Sequence, residues 1–198
     1  MEKVILSART LLAEVASEVI VCVKCPLCKS RKNAVPGEGS IRAKMFFVGE
    51  GPGKTEDALG RPFVGSAGKF LEELLGQIGL NRKSMFITNI VKCKPPRNRK
   101  PHQLEIQTCT PYLIRQIKII KPRLIVALGS TAVGYLMPKA GLPFSKITQV
   151  HGRSYEAILN GQKVTLFATF HPAAVLRGGQ YREEIVADFA RLKRELEK

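Results

Sequence analysis

Acidic side chains are scarce in this chain. Its 198 residues carry 32 Lys and Arg but only 16 Asp and Glu, a formal net charge of +16. Ion-pair networks need both signs, so the shortage of acids argues against a merely solvated, thermally adapted surface. The positive excess points to a polyanionic partner, nucleic acid first and an anionic membrane surface second. Long apolar runs are missing too. The most apolar region, Leu124 to Met137, is too short to span a bilayer and is interrupted by Gly129, Ser130 and Thr131. The opening MEKVILSART lacks the long apolar core of a signal peptide. An intracellular, cytoplasmic protein is therefore expected, with its five cysteines reduced, so that metal or cluster binding competes with disulfides. Repeats, linkers and low-complexity tracts are also absent. The length suits a single domain over 1–198.

Glycine, by contrast, is concentrated in one place. The stretch Val48 to Gly68, VGEGPGKTEDALGRPFVGSAG, follows the apolar run Met45-Phe46-Phe47-Val48 and opens with Gly49, Gly51 and Gly53. Residues without side chains let a ligand approach the main chain. A glycine-rich loop at the carboxyl end of a strand is where open α/β sheets bind ligands. The plainer alternative is a tight strand-to-helix turn with solvated acids. Phosphate cradles are disfavoured: Val48 stands where a Walker pattern needs its first glycine, and Lys54 or Glu56 stands where a dinucleotide fingerprint needs its third.

Ala8, Leu11, Leu12, Val15 and Val19 predict an amphipathic first helix. Strands are predicted over 44–48, 85–91 and 123–128. Phe70, Leu71, Leu74, Leu75 and Ile78 form a helical stripe that Gly79 can end. Lys92 to Lys100 reads as a basic, proline-rich loop. A short helix is expected from Pro101 to about Thr108, and a second one after Cys109, capped by Thr110 with Pro111 in its first turn. A further helix opens at Ser130-Thr131. Asn160-Gly161 between 153–159 and 163–168 is a strong hairpin signal. Ile185, Phe189, Leu192 and Leu196 mark a final helix. Strands alternating with helices predict an α/β fold, a mostly parallel sheet between helical layers.

Cys22 and Cys25 form a C-x-x-C pair, and Cys93 and Cys109 lie far from it in sequence. Four thiolates from two distant segments suit a tetrahedral zinc or an iron–sulfur cluster, against the alternative of buried free cysteines. Cys28 is a fifth thiol, so Cys22, Cys25 and Cys28 could instead supply three ligands from one short segment.

Together, GEGPGKTEDALGRPFVGSAG, TNIVKCKPP, the four cysteines and HPAAVLR resemble the pattern of the family 4, iron–sulfur uracil-DNA glycosylases. The likeness runs from about Cys22 to Arg177, in the family's order. It implies a three-layer αβα fold with a four-stranded, mostly parallel central sheet. It also implies a 4Fe–4S cluster on Cys22, Cys25, Cys93 and Cys109, the first pair standing ahead of Pro26-Leu27, and leaves Cys28 as a spare thiol. Uracil-containing DNA is the implied substrate and a base-excision step the implied activity. A monomer is expected, with a replication clamp as a candidate partner.

The resemblance implies roles as well. Such an enzyme must take uracil out of the base stack. Phe63 resembles the residue that stacks on the flipped base. Asn89, which can both donate and accept, resembles the reader of the uracil N3 and O4 edge. Glu56 is carried over to the C5 edge, where a methyl group would clash, and the Gly51 backbone can approach the base. His171 resembles the residue that hydrogen-bonds O2 and stabilises the leaving anion. Glu50 resembles the carboxylate that positions water or stabilises the cationic sugar. Val175 and Leu176 would wedge into the stack. Arg177 and the Lys92 to Lys100 run would contact phosphates. Taken without the family, His171 reads as a satisfied strand-end histidine and Glu50 as a solvated loop acid; His102 and His151 match nothing.

Two rivals fail on missing pieces. The branch that crosslinks to the sugar through a histidine needs an insertion after FVGSAG, yet Gly68 passes straight into the Phe70 helix. A zinc deaminase needs His-x-Glu and Pro-Cys-x-x-Cys, and neither is present. A non-catalytic DNA-binding module with a structural metal fits charge and cysteines equally well; only Glu50, Asn89 and His171 at three strand ends argue against it.

Overall fold

A computed structural model describes residues 2–176, 179 and 181–196. Its described strands are β1 (Glu38–Gly39), β2 (Met45–Gly49), β3 (Phe86–Asn89), β4 (Leu124–Leu128), β5 (Arg153–Leu159) and β6 (Gln162–Thr169). The helices are α1 (Glu2–Val21), α2 (Lys54–Leu59), α3 (Ser66–Gln77), α4 (Gln103–Ile120), α5 (Gly129–Lys139), α6 (Ile147–Val150) and α7 (Arg182–Leu196). No helix among the described residues is long and apolar enough to cross a membrane.

Continuous apolar runs explain the sheet. Every residue of β2, β3 and β4 is buried, as expected for parallel strands covered on both faces. Successive side chains point to opposite faces. Phe46, Val48, Ile125 and Ala127 pack with residues of α1, α4 and α5 on one side. Met45, Phe47, Leu124 and Val126 pack with residues of α3 and α7 on the other. The result is three layers, αβα.

The sheet has six strands in the order β1-β3-β2-β4-β6-β5, which corrects the four-stranded expectation. The four central strands pair in parallel. The edges β1 and β5 are antiparallel. The reason at one edge is the turn the sequence announces: Asn160 (φ 52°) and Gly161 (φ 79°) are both left-handed, the geometry that folds two strands into a tight hairpin. β5 therefore joins the same sheet as β6.

Two further expectations change. A single helix, α4, replaces the two predicted around Cys109. Pro111 lacks an N–H for the Gln107 carbonyl, but the Thr110 hydroxyl donates to that carbonyl at 3.4 Å, so the helix passes through. Cys109 thus sits inside a helix, not at a break. The second predicted strand stops at Asn89. Beyond it, Ile90 and Val91 donate to the Gly49 and Glu50 carbonyls at 2.9 and 3.1 Å, holding the exits of β2 and β3 side by side.

Candidate active site

The carboxyl ends of β2, β3, β4 and β6 meet at one cavity of about 360 Å³. Glu50, Gly51, Glu56, Phe63, Asn89 and His171 all line it, as does the first turn of α5 through Gly129, Ser130 and Thr131. The chain crosses from β3 to β4 over β2, so the cavity lies at the point where strand order reverses, the usual ligand crevice of such sheets.

Asn89 ends β3, is 2 % exposed, and its Oδ1 has no hydrogen-bond partner among the described residues. A buried amide oxygen without a partner is costly unless a ligand supplies a donor. Gly49 lies directly below: a Cβ there would stand 2.5 Å from Asn89 Oδ1 and 2.6 Å from Phe63 Cζ. Only a residue without a side chain lets the amide and the aromatic ring converge. The Phe63 ring faces His171, with centroids 5.5 Å apart and planes 27° from parallel. The Ala173 N–H donates to His171 Nδ1 at 3.1 Å, which assigns the hydrogen of the neutral ring to Nε2. Glu50 accepts from the Thr131 hydroxyl, a tie between the ends of β2 and β4.

Other expected residues behave differently. Glu56 lies in α2, not in a loop, because Gly53 caps the start of that helix and left-handed Gly60 its end. Its carboxylate accepts from Val64 N and Gly65 N at 2.9 and 2.7 Å. Gly51 gives up its side chain to Val91, whose Cγ2 would be 2.8 Å from a Cβ. Val175 is buried in the core beside α3 and α7, so it cannot wedge into a base stack; Leu176 is 52 % exposed. Arg177 lies outside the described residues.

Lys92 corrects the reading of the basic run. It is 1 % exposed and cannot reach a phosphate. Its Nζ donates to Thr88 Oγ1 at 2.5 Å, the Asn89 carbonyl at 2.9 Å and Gln116 Oε1 at 2.9 Å. Burial pushes its pKa down to about 7. Arg99 is paired with Glu105 at 2.7 Å, while Arg97 and Lys100 are exposed.

On the far side of Lys92, all five thiols line a second, narrow cavity with Arg31, Lys92 and Tyr112. Among the described residues no three His, Cys, Asp or Glu side chains are placed to share one metal ion. A four-iron cluster asks for something else, one thiolate at each iron around a shared centre. The donors fit such sulfurs. Arg31 donates to Cys93 Sγ at 3.1 Å and Lys92 N to Cys109 Sγ at 3.2 Å. N–H···S bonds of this kind stabilise cluster ligands. As free thiols, Cys93 is raised and Cys109 is raised to about 11, both by burial.

The family model of the uracil DNA glycosylase superfamily matches residues 36–192. A type-4 uracil-DNA glycosylase of Sulfurisphaera tokodaii is 48 % identical over 92 % of this chain and 83 % of its own. One of Pyrobaculum aerophilum is 50 % identical over 85 % of this chain and 86 % of its own. One of Archaeoglobus fulgidus is 45 % identical over 91 % of both chains. The chain belongs to the type-4 uracil-DNA glycosylase family. In this type-4 glycosylase chain, two residues that brace the cavity carry little signal in the sequence. Thr131 reads in the sequence as a helix start, yet a hydroxyl in the first turn of a helix that follows a buried strand lies beside the strand ends. Arg82, which donates to the Phe63 carbonyl at 2.6 Å, gave no local signal at all.

Proposed function

We propose that this chain excises uracil from DNA, cutting the bond between uracil N1 and the sugar and leaving an abasic site. The observation that carries the proposal is the unpartnered, buried Oδ1 of Asn89 beside the Phe63 ring. It is an acceptor awaiting the N3–H of a flipped base, and the same amide's nitrogen can donate to O4. Cytosine presents the inverse pattern and leaves both groups mismatched. Phe63 supplies the stacking face. Glu56, on the same wall, is assigned to the C5 edge, where a thymine methyl would meet it.

When the glycosidic bond breaks, its electron pair stays on uracil N1 and the sugar becomes cationic. His171, neutral with its hydrogen on Nε2, donates to O2 as charge develops there. Glu50, oriented by Thr131, stabilises the cation and directs a water to C1′. That water passes a proton to the Glu50 carboxylate as its oxygen bonds C1′, and the proton goes on through solvent to the uracil anion, completing the abasic sugar. Leu176 is the wedge that fills the vacated stack; Lys100, which lines the cavity, and the exposed Arg97 in the same loop meet phosphates.

Cys22, Cys25, Cys93 and Cys109 would hold a 4Fe–4S cluster, with Cys28 beside it. Bound there, the cluster supplies a structural crosslink between α1, α4 and the loop after β3. The chain acts as one domain, as its single continuous sheet supports.

The test is base release from a single-uracil oligonucleotide by protein purified without oxygen. Free uracil and an alkali-labile site are expected. Tight DNA binding with no base release would favour a non-catalytic binding module instead.

A further inference from the structure

Phe63 is an aromatic residue in a conformation aromatics avoid. Its φ is 50°, in the left-handed region, where a Cβ crowds the following carbonyl. Strained residues of this kind persist only when their surroundings hold them, and they gather at functional sites. Here every peptide group of the turn is held. The Phe63 carbonyl accepts from Arg82 Nη1 at 2.6 Å, and the Pro62 carbonyl accepts from Arg82 Nη2. Val64 N and Gly65 N donate to the Glu56 carboxylate. The first turn of α3 lies flush on the Phe63 backbone, since a Cβ on Gly68 would fall 2.0 Å from the Phe63 carbonyl oxygen.

Arg82 is itself fixed. It stands in the turn before β3 and does not line the cavity. Its side chain is 15 % exposed and pairs with Glu38 at 2.8 Å and Glu72 at 3.2 Å. Glu38 is gripped from its other side by Arg61 at 2.8 Å. A guanidinium can fork across two carbonyls and a carboxylate at once; a lysine cannot.

We infer that Arg82, locked by Glu38, is a positioning residue that holds Phe63 in its left-handed turn and so presets the ring on which the flipped base stacks. The inference rests on the uracil reading proposed above. Without Arg82 the turn relaxes toward ordinary φ values and the ring leaves its place over Gly49. The stacking-competent population then falls by roughly tenfold, the usual penalty for a left-handed residue with a Cβ.

The experiment is a double-mutant cycle of Arg82→Gln and Phe63→Ala, read as single-turnover uracil release at saturating enzyme and as KM. Amide hydrogen exchange at Val64 and Gly65 is followed in parallel. Arg82→Gln in the otherwise native protein should raise KM and slow release by roughly tenfold. In the Phe63→Ala background it should do almost nothing, because no ring remains to be placed. Arg82→Lys should not rescue. An equal loss in both backgrounds would mean that Arg82 serves the fold alone, and would overturn the inference. If Arg82→Gln does not fold, Glu38→Gln replaces it in the cycle, with a smaller effect and the same non-additivity. If the native protein releases no uracil, the functional reading fails while the clamp is still decided by exchange. Faster exchange at Val64 and Gly65 in Arg82→Gln supports the clamp, and unchanged exchange refutes it.

Discussion

Replacing Lys92 by Met removes a buried ammonium and keeps the length of the side chain. The structure sets the size of the effect. Lys92 Nζ serves Thr88 Oγ1, the Asn89 carbonyl and Gln116 Oε1. Thr88 and Gln116 remain tied to the Pro36 carbonyl at 2.9 and 2.8 Å, but the Asn89 carbonyl and Gln116 Oε1 lose a partner. Two unmet buried acceptors cost about 2–6 kcal/mol. Against this stands relief from burying a charge, a cost visible in the lowered pKa of about 7. The two effects offset in part, so stability should fall by less than the full cost of about 2–6 kcal/mol. Function should not be spared. The freed Asn89 backbone loosens the amide proposed to read the base, and uracil release should fall by about tenfold to a hundredfold, as small misplacements do. Chemical denaturation, iron content and single-turnover release on matched uracil and cytosine oligonucleotides separate these effects. Native rate and base preference in a folded, iron-loaded Lys92→Met protein would refute the argument.

Cys93→Ala should lower both iron content and melting temperature, whereas Cys28→Ala should keep its iron; loss of iron from the Cys28 variant would show that the ligand set is misassigned. DNA affinity should collapse with salt, because the net charge is +16: with about five phosphates neutralised, an approximately fourfold rise in salt costs on the order of 10²–10³-fold. A flat response would count against nucleic acid. The Glu38 clamp should be insensitive to neutral and alkaline pH. Burial alone would raise the Glu38 pKa, but hydrogen bonds from Arg61 and Arg82 bring it below 4.5. Its contribution is therefore complete above 4.5 and is lost as pH falls through the lower folded value. The stability deficit of Glu38→Gln should vanish only in that acid range, as denaturation at stepped pH would show.

Much of the fold could be read from residues because its strands are buried on both faces. MFFV and RLIVAL have few other uses, and Asn160-Gly161 has almost none but a turn. The strand ends carrying Glu50, Asn89 and His171 followed from those runs. What escaped depends on partners distant in sequence. Nothing local distinguishes Lys92 from Lys94, yet one is buried and the other partly exposed, because Gln116 and Thr88 supply acceptors. Pro111 looks like a helix start until the Thr110 hydroxyl takes over the orphaned carbonyl. Val175 and Leu176 look alike, and only packing against α3 and α7 separates them. Arg82 is a basic residue in a short turn, and its target is a pair of carbonyls that no side-chain pattern reveals.

Base reading by Asn89 is the centre of the account, and Asn89→Asp tests it most directly. The change keeps the size and removes the donor for O4. Uracil release should drop by on the order of 10²-fold or more, since a site built around a hydrogen bond keeps a mismatched buried group. A protonated carboxyl could donate to cytosine N3 and accept from its amino group, so a trace of cytosine release should emerge. His171→Ala, assayed alongside, should slow release without altering preference, because O2 is common to both bases. Single-turnover rates on matched uracil and cytosine oligonucleotides give the answer. The account predicts a lost uracil rate and a shifted preference for Asn89→Asp; full uracil activity in that variant would contradict it.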